Sequence, residues 1–138
     1  MLPRAFQRDS AELVLLAVLA GEPLYGYAIA KEVAARSGGE LRLTPGVMYP
    51  LLARLERDGL VTASWEVIRS DRGKGVEEPA AGDDEEAPGG RRRKWYRLSA
   101  KGRKRLAATA ATHRSYVAMI RAFLPTGGGA ERREEAAG

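Results

Sequence analysis

The sequence contains no cysteine and a single histidine, His113, among its 138 residues. Without cysteine it cannot form disulfides, a catalytic thiolate or a cysteine-ligated zinc site. The longest apolar run, Leu13 to Ala20, is much shorter than the roughly 20 residues that span a bilayer, and we expect no signal peptide. No nucleophile lies beside a base, and no glycine-rich phosphate loop follows a strand. These absences predict a cytoplasmic protein that is not an enzyme and uses no metal or other cofactor.

The charges that are present are segregated along the chain. The net charge is +5, and between Glu77 and Glu86 there are six acidic residues and no basic one. Shortly afterwards four consecutive cations follow, from Arg91 to Lys94. A basic balance favours a polyanionic partner. The acidic block is expected to repel DNA, or to occupy the basic run when DNA is absent.

Hydrophobic periodicity and helix-breaking residues predict the order helix, helix, short strand, helix, strand, long loop, strand, long helix. The predicted helices cover residues 9–20, 25–37, 45–58 and 99–124, and the predicted strands cover residues 40–43, 60–68 and 94–98. Residues 1–8 are predicted to be an arm, and Asp9 with Glu12 forms a capping-box-like helix start. The apolar face of the third helix is assigned to Val47, Leu51, Leu52 and Leu55. Pro50 is expected to distort the first turn of this helix or to delay its start.

Three helices followed by a β-hairpin is the plan of a winged helix-turn-helix. The fold class is therefore α+β, mainly α, with a β-hairpin wing and a long C-terminal dimerisation helix. We expect a DNA-binding domain over residues 1–98, with a mobile wing tip at 70–90, since that composition cannot bury enough surface to order itself. The dimerisation helix is expected over residues 99–124 and a disordered tail over 125–138.

Four stretches of the sequence resemble the PadR-like regulators, named for the phenolic acid decarboxylase repressor. They are residues 24–29 (LYGYAI), 46–52 (GVMYPLL), 54–61 (RLERDGLV) and 93–102 (RKWYRLSAKG). The resemblance implies a homodimeric repressor of operator DNA, often released by a small hydrophobic or aromatic effector. It also places the third helix in the major groove and the hairpin across the DNA backbone. The wing tip is longer and more acidic than is typical of the family, and the single final helix is similar to the shorter-tailed branch, so an effector site must be small or absent.

Candidate DNA contacts follow from this placement. Because a recognition helix enters the groove by its N-terminal end, its start and the basic wing strand supply most of them. The predicted set is Lys31, Arg42, Thr44, Pro45, Gly46, Met48, Tyr49, Arg54, Arg93 and Lys94. Tyr49 could instead be half-buried, and the basic run could simply neutralise the acidic block, which leaves Arg91 and Arg92 undecided. Few of these groups can form bidentate hydrogen bonds to bases, so specificity is expected to depend on DNA shape and apolar contacts.

The dimer interface is predicted from apolar spacing on the last helix, where residues alternate in steps of four and three. With two residues of the first helix, the set is Leu13, Leu16, Leu106, Ala110, His113, Val117, Ile120 and Leu124. Trp65 and Tyr116 offer aromatic faces to an effector, although packing is the favoured role for Trp65 and Trp95. The leading hypothesis is a regulator that binds a pseudo-palindromic operator as a homodimer. The alternative is a winged-helix protein–protein interaction module without specific DNA binding.

Overall fold

The computed structural model describes residues 2–68, 85–87 and 90–126, and for residues 85–87 and 90 it describes the backbone. The chain divides into two compact units, one ending at Leu106 and the other beginning at Ala107. The four helices of the described residues are α1 (Arg4–Gly21), α2 (Gly26–Arg36), α3 (Pro45–Arg57) and α4 (Ala100–Arg121). The strands are β1 (Leu24–Tyr25), β2 (Val61–Ile68), β3 (Glu85–Ala87) and β4 (Gly90–Leu98).

The sheet is built around β4, which pairs antiparallel with the other three strands. Strand β2 pairs with it over its whole length, from Val61 opposite Leu98 to Ile68 opposite Arg91. The second edge of β4 receives β1, with Tyr25 opposite Trp95, and then β3, with Glu86 opposite Arg91. Three helices followed by this hairpin confirm the predicted winged helix-turn-helix.

The core of the first unit lies between α1, α2, α3 and the base of the wing. Its fully buried side chains come from all three helices and from β2: Leu15, Leu16, Leu19, Ile29, Val33, Met48, Leu52, Leu55 and Val61. On α3 the buried stripe is Met48, Leu52 and Leu55, whereas Val47 is 44% exposed. The predicted apolar face of α3 was therefore wrong by one residue at its start.

Helix α1 begins five residues before the predicted start, and neither the arm nor the Asp9–Glu12 capping box is present. The residue at the N-cap is Pro3, without a side-chain hydrogen bond. Gln7 secures this first turn, because its Nε2 donates to the carbonyl of Leu2 at 2.6 Å and its Oε1 accepts from the backbone N–H of Arg42 at 3.1 Å. Such contacts with a distant loop leave no signal in the local sequence.

Residues 40–43 form no strand, although Leu41 and Leu43 are buried as their alternation predicted. Their backbone groups bond to partners outside any sheet. The N–H of Leu41 donates to Ser37 Oγ at 3.0 Å, and the carbonyl of Glu40 accepts from the N–H of Leu2 at 3.0 Å. The third strand of the winged-helix sheet is instead the two-residue β1, which is too short to show a pattern in the sequence.

Helix α3 runs without interruption through Pro50, so the expected distortion of its first turn is absent. Pro50 lies in the second turn, where it removes one hydrogen bond, to the carbonyl of Gly46. Gly46 is exposed, and water can satisfy its carbonyl. The loss is therefore local.

The wing differs from the prediction in its second strand. Strand β4 begins at Gly90 rather than Lys94, so the whole basic run lies within a strand. Strand β3 falls inside the stretch predicted to be a mobile loop. The rest of that predicted loop, and the predicted tail from residue 127 onward, lie outside the described residues.

The start of α4 is confirmed at Ser99. The backbone N–H of Gly102 donates to Ser99 Oγ at 2.9 Å, which is the N-cap geometry that serine favours. The same hydroxyl donates to the carbonyl of Gly59 at 2.6 Å and so ties α4 to the end of α3. Within the described part of the chain, each helix is too short or too polar to cross a bilayer.

Candidate nucleic-acid interface

The outward face of α3 begins with small and apolar residues. Thr44 occupies the N-cap position and Pro45 the first helical position, as predicted, although the Thr44 hydroxyl makes no capping hydrogen bond. The exposed residues that follow are Gly46, Val47, Pro50 and Ala53, and then Arg54 and Arg57. The outward face of the helix therefore presents small apolar groups at its N-terminal end and positive charge at its C-terminal end.

Two residues proposed as contacts from α3 have other roles. Met48 is 2% exposed, so its side chain belongs to the core and its prediction as a DNA contact is wrong. Tyr49 is half-buried, and its ring lies so close to Gly26 that a methyl group there would stand 2.8 Å from Tyr49 Cε1. The packing role considered for Tyr49 is therefore present. Its ring joins α3 to the first residue of α2.

The remaining predicted cations of the helical part lie on the surface. Lys31 and Arg42 are exposed. The Nη2 of Arg54 lies 3.6 Å from Glu12 Oε1, a contact between two accessible side chains that contributes little stability. Arg36 is occupied by Glu32, at 2.7 Å on the same helix. No described residue forms an ion pair with Lys31, Arg42 or Arg57. Binding of a phosphate by these three side chains would therefore break no ion pair with the described residues.

One face of the wing carries an aromatic ring between two cations. The guanidinium of Arg92 lies 4.4 Å from the centre of the Trp65 ring, and Lys94 Nζ lies 5.7 Å from it. Lys94 Nζ also forms an ion pair with Glu56 Oε2 at 3.0 Å, and its side chain is 22% exposed. Lys94 therefore fastens the wing to α3. Its predicted role as a phosphate contact would require breaking this pair.

The opposite face of the wing contacts Tyr25, the last residue of β1, which directly precedes α2. The guanidinium of Arg93 lies 3.9 Å from the centre of the Tyr25 ring, a cation–π contact. Tyr25 in turn meets the edge of Trp95 at 5.1 Å between ring centres and stacks on Tyr27 at 6.5 Å. Successive residues of a strand point to opposite faces, so β4 presents arginines on both sides of the wing.

The predicted effector residues, Trp65 and Tyr116, both have exposed side chains. Trp65 is 40% exposed on the wing and lies outside the core, so the packing role favoured for it is wrong. Tyr116 is exposed on α4. The described residues do form a shallow groove of about 210 Å³ between α1 and α2, lined by Val14, Ala17, Val18, Val33, Arg36, Ser37 and Leu41. The sequence did not predict this groove, because the apolar residues that line it have the helical spacing expected of buried core residues.

The predicted dimer residues divide into two groups. Leu16 is fully buried in the core of its own chain, so it cannot belong to an interface, and Leu106 packs partly against that core. Leu13, Ala110 and Ile120 are half-buried, and His113, Val117 and Leu124 are exposed. Tyr116, Met119 and Phe123 are also exposed on this C-terminal segment. The second unit thus has a broad apolar surface without a partner among the described residues.

Comparison with known proteins points to one family. Residues 15–76 match the family described as "Transcriptional regulator PadR-like family". The transcriptional regulator Rv3488 of Mycobacterium tuberculosis is 37% identical over 65 residues, which are 47% of this chain and 58% of that protein. The chain therefore matches a little over half the length of this curated relative.

Solved structures show the same fold. A transcriptional regulator from Clostridium thermocellum superposes with a TM-score of 0.69 and 18% identity, covering 91% of this chain and 100% of the other. A PadR family transcriptional regulator from Eggerthella lenta superposes with a TM-score of 0.64 and 24% identity, covering 89% and 88% of the two chains. At these identities the likeness establishes the winged-helix fold.

Proposed function

We propose, from the match of residues 15–76 to the PadR-like transcriptional regulators, that the chain is a cytoplasmic repressor that binds operator DNA as a homodimer. The observation that carries the proposal is that α3 has an exposed outward face and that the same domain carries a strongly basic wing strand. Five of the seven residues from Arg91 to Arg97 are basic. Side chains of this kind on a wing are suited to phosphate oxygens and to the minor groove.

In the proposed complex, α3 enters the major groove by its N-terminal end, with Thr44, Pro45 and Gly46 close to the DNA. Their small size lets the helix approach the base edges closely. Lys31, Arg42, Arg54 and Arg93 neutralise phosphates, and Lys94 holds the wing in place through Glu56. These roles differ from those predicted from the sequence, in which Lys94 itself contacts DNA.

The test is selection of protein-bound fragments from the source genome, followed by titration of the recovered duplex at several salt concentrations. We expect an inverted repeat whose half-sites lie about one helical turn apart. The logarithm of the affinity should fall linearly with the logarithm of the salt concentration, with a slope of roughly −0.9 for each phosphate contacted. Weak binding without sequence preference, even at low salt, would contradict the proposal.

We further propose that the homodimer forms through the apolar surface of α4 and of the residues that follow it up to Leu124. The side chains that support this are exposed in the single chain: Tyr116, Val117, Met119, Phe123 and Leu124. An exposed apolar surface on a single helix typically marks a protein interface. Sedimentation of a chain truncated after Arg105 should show a monomer.

Release of DNA by a small hydrophobic or aromatic effector is also part of the proposal. A groove of about 210 Å³ between α1 and α2 is large enough for little more than one aromatic ring. A thermal-shift screen of small aromatic compounds, repeated with Ala17→Phe at a half-buried position of the groove lining to fill it, tests this point. A compound that stabilises both proteins equally would place the effector elsewhere.

A second candidate function is a winged-helix module that binds another protein instead of specific DNA. Two observations favour it: the first turns of α3 lack exposed polar side chains, and the acidic β3 lies beside the basic β4. The DNA selection distinguishes the two functions, because an interaction module would recover no shared sequence.

A further inference from the structure

The outward face of α3 is apolar over its first two turns. Between Pro45 and Ala53 every exposed residue is proline, glycine, valine or alanine. The side chains that point inward are Met48 and Leu52, both buried, and Tyr49 packs against Gly26. From Pro45 to Ala53 the helix therefore presents no exposed side chain that can donate or accept a hydrogen bond, and the nearest such group is the Thr44 hydroxyl at the N-cap.

Base edges in the major groove differ in what they offer. All four bases present donors or acceptors that polar side chains can read, and thymine alone adds an apolar group, its C5-methyl, beside its O4 acceptor. An apolar helix face can gain contact with that methyl group, whereas it would leave the donors and acceptors of other bases without partners. We infer that Val47 reads the C5-methyl group of thymine in each operator half-site, an inference that rests on the proposed DNA-binding function.

Val47 is the residue on this face best placed for the contact. It is 44% exposed and lies in the first turn of α3, whose residues contact bases in helix-turn-helix complexes. Pro50 follows three residues later on the same face. Arg54 and Arg57 are also exposed on α3, but about 10 Å and about 15 Å further along the helix axis. At that distance they are suited to the DNA backbone rather than to the bases that Val47 meets.

The experiment is a double-mutant cycle on the duplex that the genomic selection recovers. Each thymine of a half-site is replaced in turn by uracil, which lacks only the methyl group. With the wild-type protein we expect about fourfold weaker binding at one or two positions, the effect of one buried methyl-sized group. With Val47→Ala the affinity for the thymine duplex should fall by a similar factor, and uracil should then cause no further loss.

Val67→Ala is the matched control, because it removes the same atoms from a valine that is 47% exposed on the wing. It should keep the wild-type uracil pattern, whatever it does to overall affinity. Since alanine has the higher helix propensity, Val47→Ala is expected to fold. If no thymine position responds to uracil, or if Val47→Ala keeps the full uracil penalty, the assignment to Val47 is overturned while specific DNA binding stands. Failure to recover any specific duplex would instead overturn the proposed function.

Discussion

Gly26 and Gly102 show how single residues fix the relation between elements of the first unit. A Cβ atom at Gly26 would overlap the phenol ring of Tyr49, so glycine allows α2 and α3 to approach each other. At Gly102 it would overlap the backbone carbonyl of Leu60 and lie 2.6 Å from Leu98 Cδ1. Both glycines belong to stretches that carry the family resemblance, and each has a steric reason to be there.

The consequence is a predicted order of stability for three glycine-to-alanine variants. Gly102→Ala should cost the most, because a backbone carbonyl cannot move aside as a side chain can. Gly26→Ala should cost about 1–3 kcal/mol, as overpacking does. Gly46→Ala, which meets nothing within 4 Å, should be neutral or slightly stabilising as the control. Urea denaturation at one fixed protein concentration measures the three free energies of unfolding, and equal losses would contradict the steric argument.

Among the proposed site residues, burial and distant partners decided which predictions failed. Thr44, Pro45 and Gly46 were predictable as exposed because a threonine–proline pair marks a helix start. Met48 was misplaced because two helical phases, one through Val47 and Leu51 and the other through Met48 and Leu52, fit the same sequence. The pairing of Lys94 with Glu56 joins residues 38 positions apart. No local pattern contains that information.

At the scale of elements, helices were easier to predict than strands. The ends of α2 and α3 were marked by glycines with positive φ, at Gly38 and Gly59, a conformation that glycine adopts without strain. Strand β3 is acidic and only three residues long, a composition that strands generally avoid. Backbone hydrogen bonds to β4 hold β3 in place, and these depend on the register of the whole wing.

The register of β3 gives the acidic block a testable role. Glu85 lies opposite Arg92 and Glu86 opposite Arg91, so the register places two acidic residues beside the basic run that contains Arg93, which is proposed to neutralise phosphate. Replacing both glutamates by glutamine should strengthen DNA binding by about fivefold at low salt, from the Coulomb energy of two charges several ångströms from a phosphate. The gain should disappear at high salt, where the Debye length is short.

The control for this prediction is Asp9→Asn combined with Glu22→Gln. It removes the same amount of charge from exposed positions on and just after α1. Filter-binding titrations at two salt concentrations suffice for the comparison. An equal gain in the control would mean that net charge alone sets the affinity, and no gain in either protein would remove any role of Glu85 and Glu86 in opposing DNA.

For the whole molecule, the two units differ in where their apolar side chains lie. The first unit buries leucine, isoleucine, valine and methionine side chains in one core. In the second unit, Tyr116, Val117, Met119, Phe123 and Leu124 are all exposed. A chain that exposes this much apolar surface in one unit gains free energy by covering it, and a second copy offers an identical surface that satisfies a two-fold symmetric interface.

Charge placed on that surface should separate the copies. Val117→Glu combined with Leu124→Glu puts two carboxylates on the proposed seam of each copy, where association would have to desolvate them. Sedimentation should then show a monomer at concentrations where the wild type is a dimer. Binding to the inverted repeat should fall to the affinity for an isolated half-site, because the two half-sites are no longer linked.

Ala111→Glu combined with Ala118→Glu adds the same charge, with the same seven-residue spacing, to exposed positions on the opposite side of α4 and should leave both the dimer and the operator affinity close to wild type. If both double variants become monomers, added charge rather than the seam would be responsible. If the seam variant remains a dimer and binds the full repeat normally, the interface lies elsewhere. The half-buried Leu13 on α1 would then be the next position to change, since it is the proposed interface residue of the first helix that is not enclosed in the core of its own chain.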